Sequence, residues 1–518
     1  MQNRKSILSS AAATTALLFV AFFCGVHAQG ASAETVWPMP DWQTSTPEAE
    51  GMDSAALAKI IAFGRTKSFD SFLIVRHGRI VLDAYYAPYS ADVPHVINSA
   101  TKAVVSGLIA MVHKDGLLDG FDHPVLDFLA ARDVANIDER KKAMTVQNLL
   151  DMTSGLDWDE GFQGGKEQSL VELGRSADWI KFILDRSMAH APGEVFYYDS
   201  GNSHLLSAII LKLTGTRAED FANARLFGPL GIAPPFWRRD AQGISIGGWG
   251  LSLLPHDMAK IGYLYLHHGE WIGKQLLPTD WVDAVDHATV SMNALFDPGL
   301  RYSNQFWVLP DRHAYMAVGY HCQVIMILPD LDVVATMTAR DFCPFRRLAD
   351  EIAAAVKSAS SLPPNPEAAK LLADEVADVS TEKATDVGPT PDLATAISGK
   401  TYRFPDNPIN IKALALFLTE SQPRYEVEID THQPGNALVK LGGPIGLDGL
   451  YRKSKPTAFG LRAVKGAWQD GETFAIDVQY VGLGEQAKFV LSFGGDKVTL
   501  RGKARDGHEV VAEGAAGP

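Results

Sequence analysis

The sequence predicts an α+β protein in which helices cover one antiparallel sheet, followed by a small all-β barrel or sandwich. Two strand pairs, near residues 72–82 and 318–339, lie at the ends of a region whose intervening segments have helical character. Strands at both ends with helices between them favour one antiparallel sheet over a repeated βαβ arrangement. After residue 396, apolar and polar residues alternate with the period of two that is typical of strands.

The individual elements follow from apolar runs and from the residues that end them. Apolar runs on either side of a turn at 76–79 predict one hairpin, and a second hairpin surrounds the turn at 329–332. A helix predicted near residues 202–213 ends at Gly215, a residue type that is common just after helices. Further helices are expected at 101–111, 258–265, 279–285 and 348–356.

Composition and charge exclude several classes of protein. The chain has 518 residues, and 47 Lys and Arg against 61 Asp and Glu give a formal net charge of −14. A composition near the globular average argues against collagen, coiled coil and wholesale disorder. The acidic balance argues against nucleic acid and anionic membranes as partners, because both attract basic patches. The oligomeric state stays open.

The first residues have the organisation of a secretory signal peptide. Two basic residues precede an apolar run at 16–26, and small residues at 31–33 follow in the pattern of a signal-peptidase site. The run is shorter than the roughly 20 residues of a membrane-spanning helix. We expect residues 1–33 to be removed, leaving a periplasmic or secreted chain with 45 basic against 61 acidic residues, a charge of −16. A cut after Ala28 and a lipoprotein anchor at Cys24 are the alternatives.

Beyond the signal, the composition divides the chain into three parts. Residues 34–358 form the mixed helix-and-strand domain, and residues 396–518 form the β module. Residues 359–395 between them are rich in Pro, Ala and acidic side chains. This composition predicts a linker, with one short helix at Glu367–Val376.

The central chemical motif is Ser99-Ala100-Thr101-Lys102, at the start of the helix predicted near residues 101–111. Residues three apart share one helix face, so the Lys102 amine can reach the Ser99 hydroxyl. Serine is a weak nucleophile until a base takes its proton, and a partly desolvated lysine can be that base. Alone the pattern is weak, since Ser380-Thr381-Glu382-Lys383 in the predicted linker has the same spelling.

Further segments raise the significance of this motif because they follow it in a fixed order. They are Leu-Leu-Asp-Met-Thr-Ser-Gly-Leu at 149–156, Pro-Gly-Glu-Val-Phe-Tyr-Tyr-Asp-Ser at 192–200 and Gly-Gly-Trp-Gly-Leu-Ser at 247–252. Together with the Ser99 motif they resemble the serine β-lactamase and penicillin-binding-protein superfamily, over roughly residues 45–355. The branch that they resemble contains class C β-lactamases, related carboxylesterases and aminohexanoate-oligomer amidases.

The resemblance implies an antiparallel sheet flanked by helices beside an all-helical region, with the site between them. It also implies that Ser99 is the acylated nucleophile and Lys102 its partner. Tyr198 matches the family's catalytic tyrosine, and a protonated lysine beside it can lower its pKa so that it shuttles a proton. The neighbouring Tyr197 is the alternative. Tyr302-Ser303-Asn304 spells the family's Tyr-x-Asn, but we reject it because it adjoins a predicted strand rather than a helix.

Departures from the family pattern affect the substrate that the site can take. Ser200 stands where class C enzymes carry Asn. The third family motif, a strand-borne Lys-Thr-Gly or His-x-Gly, falls at Tyr320, His321 and Cys322. Tyr320 therefore replaces the cation that grips a substrate carboxylate, unless His321 reaches into the site. The Cys322 N–H is the expected second oxyanion donor beside that of Ser99. Whether Cys322 forms a disulfide with Cys343 stays open.

Two weaker patterns point elsewhere. Residues 243–247 match the nucleophile elbow of α/β-hydrolases around Ser245, but they lack the strand before and the helix after that the elbow requires. His267, His268 and His313 lack metal-ligand spacing, and no phosphate-binding glycine loop is present. We therefore expect neither a metal nor a cofactor.

The sequence thus predicts an exported serine hydrolase that cleaves an ester or amide of a small-molecule substrate through a Ser99 acyl-enzyme. The first alternative is a catalytically weak or inactive penicillin-binding-like protein that recognises cell-wall or acylated ligands. The second is a true class C-like β-lactamase or D-Ala-D-Ala carboxypeptidase. An α/β-hydrolase that uses Ser245 is the third.

Overall fold

The computed structural model describes residues 35–517 except for 130–132, 163–165, 293–298, 342–343, 432–437, 457–459 and 504–507. The predicted signal peptide at 1–33 and Cys343 therefore lie outside the described residues. Within them, each helix that the sequence predicts near 101, 202, 258, 279 and 348 is present. The α-helices are α1 (Ser54–Thr66), α2 (Thr101–Lys114), α3 (Val125–Leu129), α4 (Glu139–Lys142), α5 (Val146–Leu150), α6 (Gln168–Arg175), α7 (Trp179–Leu184), α8 (Ser200–Thr214), α9 (Ala218–Ala222), α10 (Pro255–Leu266), α11 (Thr279–Asp286), α12 (Phe345–Ala355), α13 (Pro366–Ser380) and α14 (Leu393–Ile397).

The strands fall into a set before residue 340 and a set after residue 400. The first set is β1 (Gln43–Thr44), β2 (Phe69–Arg76), β3 (Arg79–Tyr85), β4 (His95–Val96), β5 (Ser252–Leu253), β6 (Glu270–Trp271), β7 (Lys274–Gln275), β8 (Val290–Ser291), β9 (Arg301–Ser303), β10 (Phe306–Leu309), β11 (Ala314–Gly319), β12 (Gln323–Leu328) and β13 (Val333–Ala339). The second set is β14 (Thr401–Arg403), β15 (Ile411–Phe417), β16 (Arg424–Asp430), β17 (Leu438–Pro444), β18 (Arg452–Lys453), β19 (Leu461–Trp468), β20 (Thr473–Val481), β21 (Glu485–Gly494), β22 (Lys497–Lys503) and β23 (Glu509–Ala516).

Nine strands of the first set build one central sheet in the order β1-β3-β2-β13-β12-β11-β10-β9-β8, while β4 pairs with β5 and β6 with β7 outside it. Every neighbouring pair is antiparallel except the short β1 and β3. The predicted hairpins are β2–β3 and β12–β13, and β13 pairs with β2 to join the two ends of the domain. Helix α10 packs on β12 and β13. Helices α2 to α9 form a largely helical region, which the chain builds after β3 and before β8. The predicted α+β class is confirmed.

The second set forms a nearly closed antiparallel barrel in the order β17-β16-β15-β14-β23-β22-β21-β20-β19-β18. Gly446, just after β17, narrows the remaining gap, because its N–H donates to the Val464 carbonyl of β19 at 3.1 Å. The Gly466 N–H donates back to the Gly446 carbonyl at 2.8 Å. Aromatic and aliphatic side chains such as Phe474 and Leu491 fill the interior. Of the two predicted architectures for this module, barrel and sandwich, the structure has the barrel.

The segment between the two sheets differs from the predicted linker at 359–395. It contains α13, fifteen residues long, which packs on α1. Leu372 and Val379 join the core cluster of the first domain, and Ala368 is also buried. These side chains recur at helical spacing, so one face of an otherwise polar and Ala-rich helix is apolar. Within the predicted linker, the buried face of α13 thus belongs to the domain core, and residues 382–391 after it form neither helix nor strand.

No helix in the described ranges is both long and apolar enough to cross a membrane. The helices that do form are amphipathic or enclosed by other elements. In α2, for example, twelve of fourteen residues are buried, because the helix lies between the sheet and α8.

Two adjacent leucines in α13 provide a test of this packing. Leu372 is 7% exposed within the core cluster, whereas Leu371 is 46% exposed. We expect Leu372→Ala to lower the free energy of unfolding by about 2–4 kcal/mol, because it removes buried apolar contacts and leaves a cavity. Leu371→Ala is the matched control and should change it by less than about 0.5 kcal/mol. Equal, small effects in denaturant titrations would mean that α13 is a linker after all.

Candidate functional site

Ser99 lies in a single 3₁₀ turn, Asn98–Ala100, that leads directly into α2. Its side chain is partly exposed, so a substrate can reach it. The end of β11 lies against this turn: a Cβ on Gly319 would stand 2.2 Å from the Ile97 carbonyl oxygen and 3.2 Å from the Ala100 nitrogen. Only glycine permits that approach, and it brings the sheet edge beside Ser99.

Lys102 lies one turn into α2 and is 1% exposed. Its Nζ donates to Ser99 Oγ at 3.0 Å, to Ser200 Oγ at 3.0 Å and to the Gly248 carbonyl at 2.9 Å. Burial lowers the pKa of Lys102 from 10.5 to about 8, although the negative charges of Glu160 and Asp199 oppose that shift. A neutral amine in contact with the hydroxyl is therefore available near pH 8. This arrangement lets Lys102 accept the Ser99 proton.

Tyr198 lies against both members of the motif. Lys102 Nζ is 4.8 Å from the centre of the Tyr198 ring, and the Tyr198 side chain hydrogen-bonds with that of Ser99. Burial raises the pKa of Tyr198 above its usual value, even though the bond to Ser99 opposes this. We expected a lowered pKa beside a protonated lysine, and the direction is the opposite because the buried phenolate would lose its water. Tyr198 is thus a phenol that can donate its proton.

The two other tyrosine candidates occupy different places. Tyr197 is partly buried and packs against the core of the helical region. Tyr302 is in β9 and fully buried, with its ring centre 6.4 Å from that of Tyr198. Asn304, the third residue of the rejected Tyr-x-Asn spelling, is held by Gln147, whose Nε2 donates to Asn304 Oδ1 at 3.0 Å. The structure therefore brings Tyr198 to the Ser99 motif.

Ser200 is the first residue of α8, directly after Asp199, whose Oδ1 caps that helix by accepting from the Gly201 N–H at 2.7 Å. Ser200 Oγ accepts from Lys102 and donates to Glu160 Oε1. Its backbone N–H donates to the other Glu160 oxygen at 3.0 Å. Ser200 therefore connects the lysine to a buried carboxylate.

Glu160 is a site residue that the sequence analysis missed. It is 9% exposed, and Trp158 Nε1 donates to its Oε2 at 2.5 Å. The only signal in the sequence is a carboxylate a few residues after the Thr-Ser-Gly segment at 153–155, and nothing there indicates that it folds back onto the start of α8. The contact joins residues forty positions apart.

The Gly-Gly-Trp segment at 247–249 positions the carbonyl that Lys102 uses. A Cβ on Gly247 would lie 1.9 Å from the Ser203 carbonyl oxygen, and one on Gly248 would lie 3.0 Å from the Ser200 Cβ. Glycine is required at Gly247 because its backbone passes directly over that of α8. A buried pair holds the loop there, with His204 Nε2 3.1 Å from Asp240 Oδ2.

Ser245 does not form a nucleophile elbow. It lies in this loop, fully buried, and its Oγ accepts from the Glu219 N–H at 3.2 Å. Neither the strand nor the helix that an elbow requires flanks it. The α/β-hydrolase alternative loses its structural basis.

The third motif lies in a turn, whereas we expected it on a strand. Tyr320, His321 and Cys322 form the three-residue connection between β11 and β12, which pair up to Gly319 and Gln323. The φ angles of 61° at His321 and 67° at Cys322 are those of a tight turn. Asn98 Nδ2 donates to the Tyr320 carbonyl at 3.0 Å, which ties the turn to the Ser99 turn.

The side chains of this turn face different surroundings. Tyr320 is 56% exposed, whereas Cys322 is buried and disulfide-bonded. Cys343, the partner that the sequence suggests, lies outside the described residues. The oxyanion role of the Cys322 N–H stays a prediction.

The histidines that we examined as metal ligands are accounted for by acidic partners or by packing. His313 lies between Asp286 and Asp330, each 2.8 Å away, and these contacts raise its pKa although partial burial opposes the shift. His268 Nδ1 is 3.0 Å from Asp283, and His267 packs on the Tyr263 ring. Among the described residues, no group of three His, Cys, Asp or Glu side chains is arranged to hold a metal ion.

Comparison with known proteins agrees with this fold. The Beta-lactamase family model matches residues 69–358, more than half of the chain, and the protein belongs to that family. The match begins at β2 and ends after α12, so it spans all of the central sheet except β1, together with every residue of the site described above.

Two further similarities concern 6-aminohexanoate-dimer hydrolases. The enzyme of that name from Paenarthrobacter ureafaciens is 23% identical over 285 residues, which cover 51% of this chain and 71% of that protein. A solved structure from Bacillus anthracis, described as a 6-aminohexanoate-dimer hydrolase, is 18% identical to this chain. The match covers 67% of this chain and 89% of the Bacillus chain, with a TM-score of 0.50. A family VIII carboxylesterase is 15% identical, covers 60% of this chain and 98% of its own, and has a TM-score of 0.48.

The charge of Glu160 gives a prediction for pH dependence. A fluorophosphonate probe should modify Ser99 at a rate that rises with pH through about 8, because the amine of Lys102 becomes neutral there. The Glu160 charge raises the pKa of Lys102, so Glu160→Gln should move the midpoint of that rise to lower pH. The pH profile of the labelling rate measures both effects.

The matched control is Glu139→Gln, which removes one negative charge from a side chain that is 89% exposed. Its midpoint should stay at the wild-type pH. A midpoint that moves up in Glu160→Gln, or moves equally in both variants, would show that the carboxylate does not act on Lys102.

Proposed function

We propose that the protein is an exported serine hydrolase that cleaves ester or uncharged amide bonds through an acyl-enzyme on Ser99. The observation that carries this proposal is the 3.0 Å contact between Ser99 Oγ and the buried Lys102 Nζ, whose pKa is lowered to about 8. A buried lysine with a lowered pKa beside a partly exposed serine is the pairing that a serine nucleophile requires. Structural lysines at surfaces do not have this combination.

In the acylation step, neutral Lys102 takes the Ser99 proton while Oγ attacks the substrate carbonyl carbon. A tetrahedral intermediate forms, and its oxyanion accepts hydrogen bonds from the backbone N–H groups of Ser99 and Cys322. Such donors are worth about 10²–10³ in rate where single ones have been removed from other enzymes. Tyr198 then gives its proton to the departing oxygen or nitrogen and recovers one from Lys102, so that the proton count balances.

Deacylation follows the same steps, with water in place of Ser99 as the nucleophile and Ser99 Oγ as the leaving group. Neutral Lys102 accepts one water proton while the hydroxide adds to the acyl carbon, and Tyr198 stays a phenol. The ester bond to Ser99 Oγ breaks, and the serine recovers its proton as the acid leaves. Glu160 takes no proton in this scheme. Its negative charge raises the proton affinity of Lys102, against the larger effect of burial.

The turn at residues 320–322 supports an uncharged substrate. Tyr320 provides an exposed aromatic ring where the related enzymes place a cation for a carboxylate. The name of the Paenarthrobacter relative, a 6-aminohexanoate-dimer hydrolase, supports hydrolysis as the reaction type but not an uncharged substrate, because that dimer ends in a carboxylate. β-Lactams and peptidoglycan stems carry a carboxylate, so they are the less suitable substrates.

Substitution of the two serines tests the nucleophile. Wild-type protein should react with a fluorophosphonate probe and hydrolyse p-nitrophenyl esters, and Ser99→Ala should abolish labelling and lower kcat/KM by at least about 10³. Ser245→Ala is the matched control, because Ser245 is buried in the neighbouring loop, and it should retain both activities.

Other outcomes of the same experiment identify the alternatives. Labelling that persists in Ser99→Ala would reject Ser99 as the nucleophile. A folded wild type that neither labels nor turns over ester would favour the non-catalytic ligand-binding protein. Efficient hydrolysis of nitrocefin, which carries a carboxylate, would show that Tyr320 does not exclude such substrates.

Export is proposed from the signal-like organisation of residues 1–33. When the full chain is expressed in a Gram-negative host, we expect it in the periplasmic fraction with a mature N-terminus at Glu34, as read by N-terminal sequencing. Retention of residue 1 on the folded protein in the cytoplasm would reject export.

A further inference from the structure

The barrel reaches the candidate site through the turn of one hairpin, residues 482–484 between β20 and β21. The Val96 N–H donates to the Gly482 carbonyl at 2.7 Å. Two residues further, the Gly484 carbonyl lies 3.1 Å from His321 Nδ1. Val96 is in β4, three residues before Ser99, and His321 is in the turn that faces Ser99. The same hairpin turn therefore bonds to both sides of the site.

The contact between the two domains is too close to be incidental. Gly482 has a φ of 86°, and a Cβ there would lie 2.2 Å from the Pro94 carbonyl oxygen. Beside it, Tyr89 and Val93 of the first domain form a buried apolar cluster with Ala463 and Val481 of the barrel.

A partly buried arginine just after β13 adds a polar contact. Arg340 Nε donates to the fully buried Asp70 at 2.8 Å, and Arg340 Nη1 donates to Gln486 of the hairpin at 3.4 Å. Burial raises the pKa of Asp70 to about 6, although Arg340 opposes the shift. The hairpin is thus held by apolar, backbone and side-chain contacts at once.

The bond to Gly484 fixes the His321 ring. Because a carbonyl oxygen can only accept, Nδ1 carries the proton and the ring orientation is set by the barrel. The Tyr320 ring stacks on this imidazole, with ring centres 3.9 Å apart and planes at 29°. The barrel therefore orients His321, and His321 in turn supports the exposed ring of Tyr320, whose backbone carbonyl is bonded to Asn98 of the Ser99 turn.

We propose that the 482–484 turn of the barrel is a positioning element of the active site, which holds Tyr320 as an aromatic platform that selects substrates with a flat, uncharged acyl group. This inference rests on the proposed Ser99 chemistry. His321 and Gly484 act through Tyr320, and Tyr320 is the residue that contacts the substrate. Specificity would then depend on a domain that supplies none of the reacting groups.

The experiment compares two glycine substitutions in the barrel. Gly482→Ala introduces a Cβ against Pro94 and displaces the hairpin. Gly495→Ala is the matched control, since Gly495 also has a positive φ, 61°, but has no heavy atom within 4 Å of the added Cβ among the described residues. His321→Phe is a second test that leaves the barrel intact, because phenylalanine keeps a ring for stacking but cannot donate to Gly484.

The readout is selectivity between p-nitrophenyl benzoate and p-nitrophenyl acetate, which share a leaving group. Tyr320→Ala, Gly482→Ala and His321→Phe should each lower the benzoate-to-acetate ratio of kcat/KM by roughly 3- to 10-fold, the size of a typical aromatic pair. Gly495→Ala should keep the wild-type ratio. The Tyr320→Ala/Gly482→Ala double variant should lose no more selectivity than Tyr320→Ala alone, because both act on one contact.

Amide hydrogen exchange of residues 320–323 separates this inference from the proposed function. Exchange there should be faster in Gly482→Ala than in Gly495→Ala, whether or not the protein hydrolyses esters. Unchanged exchange together with an unchanged ratio would overturn the positioning role. If the wild type fails to label at Ser99 but residues 320–323 still exchange faster in Gly482→Ala than in Gly495→Ala, the proposed chemistry is refuted. The positioning role of the hairpin then still holds.

Discussion

The buried ammonium group of Lys102 imposes the conditions that the rest of the site meets. A charge removed from water is costly unless other groups solvate it, and here three oxygens within 3.0 Å do so. They come from the Ser99 turn, the start of α8 and the glycine loop, so three separate parts of the chain must meet at one atom. Glu160, in a fourth part of the chain, favours the charged form of Lys102 through its own negative charge. The proton affinity of Lys102 is therefore a property of the whole domain.

Much of the fold could be predicted because its signals are local. The hairpins β2–β3 and β12–β13 follow from apolar runs around short turns, and α8 ends at Gly215, which has the left-handed φ of 71° that glycine favours. Ser99 and Lys102 also share a helix face, so their 3.0 Å contact follows from spacing alone. Tyr198 required more than spacing, and its proximity was inferred from a family pattern.

What could not be predicted depends on contacts between distant parts of the chain. Glu160 reaches Ser200 across forty residues, and the sign of the pKa shift of Tyr198 follows from burial that no local pattern reveals. The sequence predicted a short helix at Glu367–Val376, but not that this helix packs into the domain core, because alanine and acidic residues outnumber the few side chains that it buries. The family resemblance placed the third motif on a strand, whereas the positive φ angles of His321 and Cys322 place it in the turn before β12. Glycine would have indicated such a turn, but histidine and cysteine do not.

Helix α13 also determines where the polypeptide can be divided. The family match stops at residue 358, yet Leu372 and Val379 complete an apolar cluster that includes Leu57 and Ile61 of α1. A fragment that ended at the family boundary would leave that surface in water, where exposed apolar patches promote association between chains. The modular unit that could be exchanged between proteins is therefore the hydrolase domain together with α13, and its physical boundary lies in the extended stretch after residue 380.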